Sequence, residues 1–145
     1  MSKVSRTVHI KADSGKVLEY IADVSHHPAF LSALKAVENV SGDPKDTSTN
    51  WSWSFIMAGV QLDGKAKTAD YQEGKLYSFK TYDGADSTFV YEVQPEDDGT
   101  NLTITVDYEI PESVVAKVAD KSVIEKFNED EADRVGDNLR AILEN

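Results

Sequence analysis

Residues Val4 to Lys11 alternate apolar and polar positions, with Val4, Arg6, Val8 and Ile10 on one phase and Ser5, Thr7, His9 and Lys11 on the other. This period of two predicts a half-buried strand. Asp13 or Ser14 then offers a short side-chain oxygen to the free N–H groups of a helix start. Val17, Tyr20, Ile21 and Val24 follow at helical spacing, and His26-His27-Pro28 predicts the stop. A short second helix is expected around 29–34. Turn signals then take over, at Ser41-Gly42-Asp43-Pro44, Ala58-Gly59, Glu73-Gly74, Asp83-Gly84 and Asp97-Asp98-Gly99.

The segments between these turns alternate as strands. Trp51, Trp53, Phe55 and Met57 share a phase, as do Val60, Leu62, Ala66 and Thr68. Tyr77 and Phe79, then Phe89, Tyr91 and Val93, then Leu102, Ile104, Val106, Tyr108 and Ile110 repeat the pattern. Short links predict antiparallel neighbours. After Pro111 the period becomes helical again, and Ile124, Phe127, Val135, Leu139, Ile142 and Leu143 form one stripe on a helix running from about residue 121 to the end, with Asp130 and Arg134 at pairing distance. The order is strand, one or two helices, about six strands, long helix. A long amphipathic helix laid on a one-sided sheet buries both apolar faces.

The 145 residues are 40% hydrophobic and include no Cys, which excludes disulfides, thiol nucleophiles and Cys-ligated metals. No repeat or Gly/Ser-rich linker divides the chain, so a single domain over 1–145 is expected. The formal charge of -11 opposes nucleic acid and anionic membranes. With no signal-like or membrane-spanning apolar run, a cytoplasmic protein without stable membrane insertion is expected. Residues 95–145 carry 14 acidic and 5 basic side chains. That third is a solvated helix face or a docking surface for a basic protein partner whose identity the sequence does not give.

Candidate chemistry centres on Glu131, which falls within about 20° of the middle of the apolar helix stripe, flanked by Asn128 and Asn138. An ionised carboxylate in a dry core is costly, so water or a ligand is expected opposite it. Otherwise it reaches water at a rim or pairs with a basic strand residue. Large Trp51, Trp53, Phe55, Tyr91 and Tyr108 share the inner phase with small Ala66 and Thr68, a mixture that either fills a core or leaves an apolar pocket. His9 lies on the polar strand phase, and adjacent His26 and His27 do not face one metal together. No metal and no cofactor is expected. There is no phosphate-cradling Gly-rich loop and no nucleophile elbow.

Three stretches, IKADSGKVLEYIADVSHHPAFLSAL (10–34), WSWSFIMAGVQLDGKAKTADYQEG (51–74), and 99–111 with the terminal NLRAILEN, resemble the START-related (SRPBCC) superfamily of polyketide cyclases, dehydratases and lipid-transport proteins. The resemblance spans nearly the whole chain and departs at Asp13-Ser14, where many relatives have Pro. It implies an α+β helix-grip fold, with a seven-stranded antiparallel sheet wrapped around a long C-terminal helix over a deep cavity. It further implies binding or transport of a small hydrophobic molecule. The cavity positions carried over are Trp51, Trp53, Phe55, Met57, Tyr91, Tyr108, Phe127 and Glu131. Two other readings stand beside this one: a cyclase- or dehydratase-like enzyme using Glu131 with Tyr91 or Tyr108, and an interaction protein using the acidic C-terminal face. No catalytic motif of the superfamily maps onto numbered positions here.

Overall fold

A computed structural model describes residues 2–43 and 46–144, so the Pro44 end of the expected 41–44 turn lies outside the described residues. Strand β1 (Ser2–Ile10) is followed by helices α1 (Ser14–Ala22) and α2 (His27–Phe30). Strands β2 (Leu34–Ser41), β3 (Asn50–Met57), β4 (Val60–Gln72), β5 (Leu76–Tyr82), β6 (Ser87–Glu96) and β7 (Gly99–Tyr108) come next. Helices α3 (Glu112–Val118) and α4 (Lys121–Leu143) close the chain. The strands form one seven-stranded sheet in the order β1-β7-β6-β5-β4-β3-β2, antiparallel at every pairing. The consecutive strands β2 to β7 make a meander, and β1 joins it beside β7.

Turn chemistry fixes the hairpins where alternation predicted them. Ala58 and Gly59 both adopt positive φ (49° and 86°), which a two-residue loop between right-twisted strands requires. Opposite Trp53, Gly64 leaves the slot that the indole fills, because a Cβ there would meet the ring at 2.4 Å. The indole N–H donates to the Lys65 carbonyl at 2.8 Å, which locks the ring across β4.

Helix α1 begins on Asp13, whose carboxylate accepts from the Gly15 and Lys16 N–H groups. It ends at Ala22, several residues before the expected stop. Asp23 caps a separate 3-10 turn over Val24–His26, and Pro28 stands in the first turn of α2. Proline has no N–H to lose there and has the φ a helix start needs, so it opens a helix where a stop was expected. The second helix accordingly lies at 27–30, not 29–34, and Leu34 begins a strand. That strand, β2, lacks alternation because it is an edge strand with register shifts between Leu34 and Ala36 and between Glu38 and Ser41. The expected Asp130–Arg134 pair is also replaced: Lys126 takes Asp130 at 2.7 Å, and Arg134 turns to Glu131 at 3.2 Å.

The core lies between the inner sheet face and the helices. Ile10, Leu18, Ile21, Phe30, Tyr77 and Tyr91 are fully buried, each aliphatic among them worth about 1.5–3 kcal/mol of transfer free energy. Helix α4 rests chiefly on β1, where Gly136 brings it close to Val8, and reaches across to β3 with far less contact. Between those two lines of support the curved sheet falls away from the helix.

Candidate functional site

A cavity of about 100 Å³ occupies that gap, bounded by α4, the inner faces of β3, β5, β6 and β7, and the α2–β2 connection. A single water needs roughly 10–15 Å³ measured the same way, so the space exceeds a packing defect. Short side chains on α4 create it. Asn128, Glu131, Ala132 and Val135 recur at i, i+3, i+4 and i+7 and border the hollow.

Strand β3 supplies one wall, with Trp51, Trp53, Phe55 and Met57 all bordering the cavity on one strand face. Tyr91, Tyr108 and Glu131 also border it. Phe127 does not. One position before Asn128, it turns to the flank of α4, where its half-buried ring lies 6.0 Å from the Arg134 guanidinium. The structure adds Phe79 and Phe89, whose rings stack at 4.5 Å on the inner phases of β5 and β6, and the buried His27. Strand alternation carried the signal for both phenylalanines. His27 gave none, because its burial depends on the unforeseen start of α2.

Glu131 answers the question its sequence position raised. Its side chain is 7% exposed, and both oxygens are engaged. Oε1 accepts from the Ser32 hydroxyl at 2.5 Å and from Arg134 Nε at 3.2 Å, and Oε2 accepts from the Ala33 N–H at 2.7 Å. Two turns further on, Asn138 donates to the Phe30 carbonyl at 3.1 Å. Together these bonds clamp the α2–β2 connection to α4 and fix one rim of the cavity. The partner is a basic residue of its own helix, not of a strand.

His27 Nε2 lies 2.9 Å from the Ile21 carbonyl, and burial pushes the imidazole pKa down to about 4. A neutral ring is thus held among Phe30, Trp51 and Phe79 at centroid distances of 5.3–5.6 Å. Burial raises the Tyr91 hydroxyl well above the ordinary phenol range, and it raises Tyr108 as well, with the Asn128 and Ser2 side chains opposing the shift. Both phenols stay protonated near neutral pH. The acidic outer face of α4 is partly neutralised within the fold, since Arg6 meets Asp133 at 2.7 Å and Glu129 at 3.9 Å.

A seven-stranded antiparallel sheet gripping a long C-terminal helix over an apolar hollow defines the START-related, helix-grip class. Within it, this chain belongs to the polyketide cyclase / dehydrase and lipid transport family, whose model matches residues 1–144. The fold is shared with many solved structures, among them the following three. The Zhui aromatase/cyclase from Streptomyces sp. R1128 has a TM-score of 0.79 at 15% identity, covering 99% of this chain and 93% of that one. A START superfamily protein from Mycobacterium smegmatis gives 0.74 at 15% identity over 98% and 97%. The major latex-like protein 151 of Panax ginseng gives 0.70 at 18% identity over 98% and 97%. No curated protein matches the chain. No helix among the described residues is long and apolar enough to cross a membrane.

Proposed function

We propose that this protein binds a small hydrophobic molecule, lipid or polyketide-like, in the cavity between α4 and the sheet, acting as a single-domain cytoplasmic carrier or sequestering protein. The observation behind this reading is the hollow itself, walled by Trp51, Trp53, Phe55, Met57, Tyr91 and Tyr108. Apolar burial at roughly 25 cal/mol per Å² supplies the driving force. The family's description, which includes lipid transport, supports the same role. The engagement of Glu131 by three donors favours binding over a reaction in which that carboxylate shuttles protons.

Native mass spectrometry after gentle purification tests the proposal. A co-purifying hydrophobic mass is expected. Trp51 and Trp53 are the chain's two tryptophans and both border the cavity, so their fluorescence is expected to be quenched by part of a panel of lipids and polycyclic aromatics. An empty protein whose tryptophans respond to nothing in the panel would refute the reading.

A further inference from the structure

His9, near the end of β1, meets an oxygen acceptor at each ring nitrogen. The Asn101 amide beside it has a fixed sense, because its Nδ2 donates to Glu96 Oε1 at 2.6 Å and so turns Oδ1 toward His9 Nδ1, 3.0 Å away. Across the ring, Nε2 lies 2.9 Å from Asp98 Oδ1. An amide oxygen only accepts, so Nδ1 donates to it. A lone pair on Nε2 would be pressed against the carboxylate, so Nε2 carries a proton as well and the ring is the imidazolium of an ion pair. One chain of side chains thus runs from Glu96 through Asn101 and His9 to Asp98, and it ties β1 to β7 and to the β6–β7 turn. His9 and Asn101 are register partners, and the turn packs tightly on the same strand end, where a Cβ on Gly99 would lie 2.2 Å from the Ile10 carbonyl oxygen.

Charged groups reach this strand end from several elements. The β6–β7 hairpin brings Glu96, Asp97 and Asp98, and Lys11 follows two positions along the chain. Asp13, the cap of α1, borders one groove with Lys11 and residues 95–99, and Glu144 at the end of α4 accepts the Lys11 N–H at 3.0 Å. Facing His9 on β7 is the neutral Asn101. A ring with one proton cannot satisfy these neighbours. With the proton on Nε2 it keeps Asp98, but Nδ1 then sets a lone pair against Oδ1 of Asn101. Turning the Asn101 amide over repairs that contact and sets Oδ1 against the Glu96 carboxylate instead. With the proton on Nδ1, the contact to Asp98 is lost. One link of the chain fails in every case.

We propose that His9 is a proton-operated latch on the β6–β7 turn: the doubly protonated ring holds Asp98 and the Asn101–Glu96 pair together, and loss of one ring proton breaks this chain and loosens the turn from β1. The side chain is 38% exposed, so the proton passes directly to water. The closed arrangement is the one that binds the proton, so the latch is engaged on the acid side and released as pH rises. None of the four residues borders the cavity, and the latch needs no guest there.

Long-range proton–nitrogen correlation spectra of the unaltered, isotope-labelled protein, recorded from pH 5 to 9, resolve the ring nitrogens of each histidine and test the latch. At the acid end both His9 nitrogens are expected to report as protonated. As the ring loses a proton, the Asn101 side-chain amide signals should move with the same midpoint. Amide protection factors across residues 97–101 should fall with them by about threefold, the scale of an exposed charged contact. His9→Gln removes the titrating group, so the pH dependence of both readouts should vanish. In Glu96→Gln the neutral amide accepts either sense of Asn101, so the fall in protection should shrink while the His9 ring still titrates, an uncoupling that a merely structural histidine would not produce. The titration of the unaltered protein stands without the variants, should either fold poorly. A His9 ring with a single proton throughout, or Asn101 signals and protection factors that do not follow the ring, would overturn the latch.

Discussion

The two ends of the inner sheet face are built from similar strands yet packed differently. Under α1 and α2, large side chains meet large ones: Leu18, Ile21 and Phe30 close over Tyr77 and Phe79, all below 5% exposure. Under α4 the sheet still presents rings, Phe55, Phe89 and Tyr108 among them, but the helix answers with Asn128, Ala132 and Val135. Phe55 and Phe89 are left half-buried. The hollow is thus a shortfall on the helix side, kept open because α4 rests on β1 and bridges the middle strands.

The sharpest way to break this contrast is to truncate one ring at each end. Phe30→Ala should cost about 3–5 kcal/mol, the usual range for a filled core, whereas Phe89→Ala should cost about 1–2 kcal/mol because its ring already borders a void. Guanidinium denaturation midpoints at constant slope give both values. Equal losses would mean that the two ends are packed alike.

Next in size is a pH effect at His27, where the packed end borders the cavity. The folded pKa of His27 lies near 4 against an unfolded value near 6.5, so between those limits the unfolded chain binds a proton that the folded chain refuses. Its contribution is fully present above about pH 6.5 and is lost as pH falls toward about 4, by up to roughly 3 kcal/mol. Unfolding free energies measured from pH 7 to 4 should show this fall, and His27→Phe should remove that part of the slope.

A smaller loss is expected at the boundary between the two ends. Glu131→Gln keeps the shape but sets an amide N–H against donors from Ser32, Ala33 and Arg134, so a loss of about 1.5–3 kcal/mol is expected in chemical denaturation. Amide hydrogen exchange should rise at Ala33 and its neighbours first. Smallest is Ala132→Leu, which would strain a filled core by about 1–3 kcal/mol. Grown into the hollow, it should change stability by less than about 1 kcal/mol while abolishing the tryptophan response to hydrophobic ligands.

Alternation alone located β1 and β3 to β7, because each has one wet and one buried face and turn residues at its ends. It passed over β2, whose exposed, bulged edge carries no period. The four cavity residues of β3 were legible for the same reason, and Tyr91 and Tyr108 followed from their strands. Phe127 was misplaced because a stripe read at 100° per residue does not say which edge of it meets empty space. Glu131 was legible as an anomaly but not in its partners, since Ser32 and Ala33 lie about a hundred residues away in a connection with no pattern of its own. His27 was invisible as a wall residue because Pro28 reads as a helix stop and acts as a helix start.

Ligand binding requires the space beneath α4 to be open to a guest. Crystals held under xenon pressure report on this directly, because xenon enters apolar cavities of this size without needing a particular functional group. Xenon density bordered by Trp51, Phe55, Phe89 and Ala132 is the expected result. A pressurised crystal with no xenon there, and with those side chains closed onto one another across the gap, would contradict it.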